Sequence, residues 1–173
     1  MQKTSTRQRK YSAPDPVYDF RAWIIRKALP VDIPLIQLVD HISCNDAWSK
    51  NAFMKAISSS YAQSHLWAAI FPVQVATCAR SCLLGGYICF HWLEDELYIV
   101  KLTVSPLQRK KGIASSLMES SISWAKKRKG KRIVLDVERE NVPALNLYKK
   151  WGFRKTGPSG KKAWIMELKL NQA

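Results

Sequence analysis

The run Leu102-Thr103-Val104-Ser105-Pro106-Leu107-Gln108-Arg109-Lys110-Lys111-Gly112-Ile113-Ala114 is where chemistry is easiest to name. Its apolar first part reads as a strand ended by Pro106. Its basic second part contains Gly112 and leads into a helix. The first amides of a helix lack intrahelical partners, and the helix dipole favours an anion there. Gly112 and Ala114 are small enough for a phosphate to approach the backbone closely. Arg109, Lys110 and Lys111 add positive charge at the same spot. These residue types in this order suit a pyrophosphate. The segment is neither GxxxxGK[ST] nor GxGxxG, the two commoner nucleotide motifs. The same residues also fit an ordinary strand-to-helix turn with a solvated basic face.

Metal chemistry has little support. The four cysteines are Cys44, Cys78, Cys82 and Cys89, and the three histidines are His41, His65 and His91. No CxxC pair occurs, and nothing near Cys78 and Cys82 completes four ligands. The expectation is free thiols, a reducing compartment and no metal.

Several elements must position the basic turn. Ala22 to Ile25 reads as a first strand. Asp32-Ile33-Pro34 reads as a helix start, Asp32 capping and proline in the first turn. Leu35, Leu38, Val39 and Ile42 form that helix's apolar face. A second helix starts at Trp48-Ser49, with Phe53, Ala56 and Ile57 on one side. Residues 66–76 and 82–93 read as strands joined by a loop from Ala76 to Ser81. Glu94-Asp95 makes the next turn. The strand Leu97 to Val104 is apolar on both faces, which predicts a central position. A helix follows from about Lys111 to Lys129, with Ala114, Leu117, Met118, Ser121 and Ala125 inward and Gly130 as its stop. Arg132 to Glu138 is a strand. Asn141-Val142-Pro143 starts a helix that should bury Ala144, Leu147, Tyr148 and Trp151. Gly152 ends it, and a last pair of strands begins at Phe153 and finishes with Trp164 to Leu170. The order β-α-α-β-β-β-α-β-α-β-β predicts one mixed α/β (α+β) domain from about residue 20 to 173.

At 173 residues and 47% hydrophobic, the chain can build a core of one ordinary domain. Its longest apolar runs, such as Leu66 to Val73, fall short of a membrane span. The amino-terminal residues show no secretory h-region. These readings predict a cytoplasmic protein outside the membrane. Lys and Arg number 28 against 13 Asp and Glu, a net charge of +15, which calls for an anionic partner without choosing one. Residues 1 to about 19 read as a basic flexible arm, either solvated or touching RNA or a membrane. Lys126, Lys127, Arg128, Lys129, Lys131 and Arg132 form a second cluster. It would suit RNA or an acidic protein, and it also fits a helix C-terminus complementing its dipole.

A later segment sharpens the picture. The basic turn meets the pattern [RQ]-x-x-G-x-[GA] through Arg109, Gly112 and Ala114. The pattern N-x-x-A-x-x-L-Y-x-x-x-G-F is met without a gap by Asn141, Ala144, Leu147, Tyr148, Gly152 and Phe153. Together, in order, the two resemble the GNAT acetyltransferases, from about residue 21 to 170. Trp48-Ser49-x-x-x-Phe53 further resembles a segment of the RimI type, which acetylates the N-terminal amine of ribosomal proteins. The resemblance implies the acyl-CoA N-acyltransferase fold, with a mixed sheet of six to seven strands and four helices, and acetyl-CoA as co-substrate. It implies that the strand before the turn and its neighbour splay apart around the thioester.

The same resemblance places backbone contacts at Leu102, Thr103 and Val104. It puts the pyrophosphate on the amides of Lys110, Lys111, Gly112, Ile113, Ala114 and Ser115 beside Arg109. Asn141 falls near the pantetheine arm, where capping its own helix competes. Tyr148 matches the family's general acid, a tyrosine hydroxyl being a natural neutral donor; it also lies on an apolar stripe. The base falls at Asp136, with Glu138 on the same strand face as an alternative and a water relay as another. Neutralising an α-amine of pKa about 7.7–8.0 at pH 7 costs about 1.4 kcal/mol, against over ~4.5 kcal/mol for lysine. A weak base therefore favours a protein N-terminus as acceptor. A lysine side chain, a small amine, or a non-catalytic acetyl-CoA- or RNA-binding module are the alternatives.

Overall fold

The computed structural model describes residues 23–58, 64–75 and 78–170, the stretch 72–83 by its backbone alone. The basic arm expected at residues 1 to about 19 and the side chains of Cys78 and Cys82 lie outside the described residues. The element order is the expected one. It runs β1 (Ile24–Lys27), α1 (Ile33–Ser43), α2 (Lys50–Ser58), β2 (Ser64–Val75), β3 (Cys78–Leu93), β4 (Glu96–Val104), α3 (Ile113–Lys127), β5 (Arg132–Glu138), α4 (Val142–Lys150), β6 (Arg154–Ser159) and β7 (Ala163–Lys169). The strands form one sheet in the order β1-β2-β3-β4-β5-β7-β6. Among the described residues only β4 and β5 pair in parallel. β4 is central, as its two apolar faces require. No helix among the described residues is long and apolar enough to cross a membrane.

One core lies between the sheet and α3 with α4, built around Phe90, Leu97, Leu117, Met118, Ile133, Leu135 and Met166. The other lies under α1 and α2, around Ile33, Ile36, Phe53, Tyr87 and Cys89. Burying such side chains on both faces holds the sheet between two helical layers, at about 25 cal/mol per Å² of apolar surface.

Several local readings are corrected. β1 runs two residues further than expected, because Arg26 and Lys27 continue the pairing opposite Ala68 and Trp67; an edge strand accommodates charge. The β2–β3 hairpin is tighter than the loop 76–81, since pairing runs on to Val75 and Cys78. Asp32 does not cap α1. Its carboxylate takes two bonds from Arg26, at 2.7 and 2.9 Å, and reaches back to the amide of Leu29 at 2.7 Å. The left-handed residue that ends α3 is Lys129, at φ 59°, rather than Gly130. The amides of Lys129 and Gly130 bond back to Lys126 and Ala125 at 2.9 and 3.0 Å, a Schellman closure. Gly130 is needed for space, because a Cβ there would lie 3.0 Å from the Trp92 ring. In α1, Leu35, Leu38 and Ile42 are exposed, and Ile33, Ile36 and Val39 face the core instead. In α4, Leu145 and Tyr148 are the buried pair.

Two features of β4 shape the space beside it. Cys89 pairs with Lys101 and Phe90 with Ile99, so Val100 is an unmatched, bulged residue. A bulge switches the side-chain alternation. Leu97 and Ile99 face the α3 core before it, and Leu102 and Val104 after it. Lys101 and Thr103 are thereby turned toward α1. Second, β4 and β5 pair only from Glu96 opposite Arg132 to Ile99 opposite Leu135. Beyond that point both strands continue without bonding each other, which is the splay expected between them.

Candidate functional site

A cleft of about 770 Å³ opens where β4 leaves β5. Leu102, Thr103 and Val104 form its floor. The turn and the first residues of α3 close one end, through Gln108, Arg109, Lys110, Gly112, Ile113, Ala114 and Ser115. Asn141, Pro143, Ala144, Leu147 and Tyr148 of α4 form one wall, and Ser43 and Cys44 at the end of α1 form the other.

The turn is built for open amides. Lys110 and Gly112 are both left-handed, at φ 61° and 92°. The amide of Ser116 makes the first intrahelical bond, to the Gly112 carbonyl at 3.0 Å. The amides of Ile113, Ala114 and Ser115 precede it and have no helical acceptor. Gly112 is required by its backbone angle, since a Cβ there would meet nothing closer than Trp23 at 3.9 Å. The Arg109 guanidinium donates to the Val104 carbonyl at 3.4 Å, tying the turn to the strand. Such a cluster of amides and cations fits a phosphorylated group well.

A pair of glycines holds the floor in place. A Cβ on Gly86 would lie 2.6 Å from the Thr103 carbonyl oxygen, and one on Gly85 would lie 2.7 Å from Ile113. β3 can therefore press against both the strand and the start of α3.

Most of the expected site residues meet in this cleft. Two do not line it. Lys111 turns its Nζ to Gln108 Oε1 at 2.9 Å. Asp136 is exposed on β5, one residue past the last β4–β5 pair, where it accepts a hydrogen bond from the Tyr98 hydroxyl. Burial, then that bond, pushes the Tyr98 hydroxyl up to about 12. Asn141 uses Oδ1 to cap α4, accepting from the Ala144 amide at 3.2 Å. Tyr148 is 7% exposed and packs on Phe153. Burial pushes its hydroxyl up to about 12, so it is a protonated donor at neutral pH. Among the described residues that hydroxyl has no hydrogen-bond partner.

The wall from α1 was missed by sequence reasoning, as were Gln108, Pro143 and the cleft-facing role of Ala144 and Leu147. Behind the α1 wall lies a buried polar network. The Asp40 carboxylate, fully buried, accepts from the Tyr87 hydroxyl at 2.5 Å, the Trp48 amide at 2.6 Å and Lys101 Nζ at 3.2 Å. Burial pushes the Asp40 carboxyl up, but these bonds outweigh it and hold the group below its usual range. Lys101 also donates to the Asp46 carbonyl at 3.0 Å and sits 5.5 Å over the Trp48 ring. Cys44 Sγ lies 3.6 Å from Thr103 Oγ1. The network thus joins α1, the α1–α2 connection, β3 and the bulged stretch of β4. Only a lone Asp in an apolar helix signalled it. Ser49 caps α2, its Oγ accepting from the Ala52 amide at 3.2 Å, and Trp48 packs on Phe53. Ser43 Oγ, at the cleft end of α1, is buried without a partner among the described residues. Among the described residues no three His, Cys, Asp or Glu side chains cluster to hold a metal, and Cys44 and Cys89 are free thiols.

Known proteins share this fold. Over 97 residues, 51% of this chain and 64% of the relative, the chain is 30% identical to a putative ribosomal protein bS18-alanine N-acetyltransferase of Bacillus subtilis. It spans only about a third to two thirds of the curated relatives it matches. The solved ribosomal-protein-S18-alanine N-acetyltransferase of Escherichia coli superposes with a TM-score of 0.69 at 19% identity, covering 88% of this chain and 96% of that one. NAA60 of Arabidopsis thaliana in complex with acetyl-CoA gives 0.71 at 17% identity, over 86% and 99%. These two likenesses show the fold. The model of the acetyltransferase (GNAT) family matches residues 53–153, more than half of the chain and both motifs of the cleft, and the chain therefore belongs to the GNAT family.

Proposed function

We propose that this chain, as one domain from about residue 20 to 173, transfers the acetyl group of acetyl-CoA to a primary amine, the N-terminal α-amine of a protein, with ribosomal-protein alanine as the model acceptor. The observation that carries the reading is the cleft itself. Open helix-start amides lie at one end, a buried protonated tyrosine lies in the wall, and a strand with free bonding groups lies between. A pyrophosphate sits on the amides of residues 110–115 beside Arg109. The pantetheine arm continues the sheet along Leu102, Thr103 and Val104, with the Asn141 amide nitrogen nearby. The thioester then lies at the level of Tyr148.

The acceptor enters from the side of α1 and the open sheet face. Its nitrogen attacks the thioester carbonyl carbon directly; the carbon–sulfur bond breaks, and Tyr148 gives its proton to the leaving thiolate. Asp136, held by Tyr98, takes the ammonium proton through a water, with Glu138 on the same face as the second candidate. Among the described residues no carboxylate lines the cleft, which suits an α-amine that needs only about 1.4 kcal/mol of help at pH 7. The relatives named for ribosomal-protein alanine support this acceptor class, and the acetyl-CoA complex of a fold neighbour supports the co-substrate.

The test is an acetyl-transfer assay with peptides bearing free N-termini, peptides with a blocked terminus and an internal lysine, and polyamines. Turnover confined to free N-termini is expected. Turnover confined to lysines or polyamines would move the acceptor to the alternative class. Tyr148→Phe should lower kcat at least tenfold with acetyl-CoA affinity held; unaltered behaviour would leave only a binding module.

A further inference from the structure

α3 has fifteen residues and so spans about 22 Å. The phosphate turn lies at one end of it. At the other end Lys126, Lys127, Arg128 and Lys129 are all exposed. That distance is too great for these cations to serve a pyrophosphate at Gly112. Lys126, Lys127 and Lys129 have no carboxylate partner among the described residues. Their neighbours differ. Lys131 pairs with Asp95 at 2.5 Å, and Arg132 pairs with Glu96 and with Glu167 at 3.3 Å. The acids of this pole are thus largely matched already, and the lysines of the helix end are surplus.

The surplus extends beyond one helix. Lys27 ends β1 and is exposed, while His65 and His91 stand opposite the neighbouring strand ends. Burial, and then the positive charge of Lys27, Arg128 and His91, push the His65 imidazole below its usual pKa. Lys27 on β1 and Arg128 after α3 therefore both lie within electrostatic reach of His65 on β2. A helix C-terminus favours one or two cations for its dipole. It does not call for Lys27, nor for a lysine in the left-handed position where glycine or asparagine is usual. The Arg128 guanidinium lies 3.8 Å over the Trp124 ring, which anchors the fan of charges to the core.

We propose that this pole, formed by the C-terminal end of α3 and the adjoining strand ends, docks the phosphodiester backbone of a nucleic acid. Lysine is depleted at protein–protein interfaces but serves as a point charge for phosphates, which favours nucleic acid over an acidic protein. A membrane surface would be held more firmly where apolar side chains insert beside the charges. The exposed apolar residues Leu38 and Ile42 belong to α1, on the opposite face of the sheet, and the exposed leucines nearest the pole in sequence, Leu29 and Leu93, lie on separate segments. With the phosphate turn of the cleft a helix length away, a bound nucleic acid leaves the acceptor side open.

The experiment is fluorescence anisotropy of the full chain with a labelled 20-nucleotide single-stranded RNA, an RNA hairpin and a DNA duplex, from 50 to 300 mM salt. A polyglutamate peptide and vesicles with anionic lipid serve as competitors. The variant K126E/K127E/K129E keeps Arg128 and the residues at positions 3–10, so its difference reports the pole. Affinity should fall at least tenfold at 100 mM salt. The slope of log affinity against log salt should flatten by about two to three, at 0.7–0.9 for each lost phosphate contact. The three nucleic-acid arms then identify which source of phosphodiester fits. Circular dichroism checks the fold, and if the glutamates disturb it, K126Q/K127Q/K129Q must show the same flattening. Affinity within twofold of the parent, an unchanged slope, or equal binding of polyglutamate or vesicles overturns the proposal. None of these readouts involves acetyl transfer, so its failure is distinct from failure of the enzymatic reading.

Discussion

Asp40→Asn should be the most informative single change behind the cleft. The carboxylate is fully buried and holds three donors at once: the Tyr87 hydroxyl, the Trp48 amide and Lys101. Asparagine keeps the volume but offers one acceptor oxygen, and it turns an NH₂ group toward the others. Removing one partner of a buried ion pair costs about 3–5 kcal/mol. Because asparagine retains one good bond, we expect about 3 kcal/mol. For a domain of this size that lowers Tm by about 6–12 °C. Urea unfolding should show a lower midpoint at unchanged slope. Adding Lys101→Met to Asp40→Asn should recover at least ~1 kcal/mol, because the unpaired ammonium is then gone. The sign with pH is fixed by the direction of the shift. The folded carboxyl lies below its unfolded value near 3.9, so its contribution is present above that value and lost as pH falls through the folded one. The parent should therefore lose stability more steeply than Asp40→Asn in acid. A cost below ~1 kcal/mol, or no recovery in the double variant, would refute the idea that this network holds α1 against β4.

Other outcomes rest on the same geometry. Gly86→Ala must push the Thr103–Val104 backbone away from a Cβ 2.6 Å from its oxygen, and overpacking of this kind costs about 1–3 kcal/mol. Calorimetry should show acetyl-CoA affinity reduced at least tenfold, and unchanged affinity would mean that the floor does not bind the cofactor. Tyr98→Phe removes the hydroxyl that Asp136 accepts from and should lower kcat several-fold at constant acetyl-CoA affinity; an unchanged rate would separate that pair from the reaction. Since burial raises Tyr148 to about 12, turnover of an N-terminal peptide should climb from pH 7 to 9 as the α-amine deprotonates. A falling limb before pH 10 would show that the acid is another group.

Much of this molecule is legible along the chain because its signals are local. Gly112 needs a left-handed angle, Asn141 caps the helix after it, and β4 is apolar on both faces. Such preferences act over a few residues and survive in any fold that uses them, so the element order and the glycine turn that opens α3 could be read directly. The errors arose where a contact beyond the element itself decided. Asp32 left its helix for Arg26, Gly130 was set by the ring of Trp92, and the α4 stripe was divided between core and cleft.

The α1 wall of the cleft shows the division most clearly. Residue types alone place amides, cations and a tyrosine in order. They do not reveal that Val100 bulges out of register, turning Lys101 and Thr103 toward Asp40 and Cys44, residues some sixty positions earlier. A side chain's partner across the fold depends on which face its strand presents, and one unmatched residue reverses that face. The turn of open amides, proposed to hold a phosphate, is a property of a short segment; the α1 wall of the cleft exists only once the sheet has closed against α1.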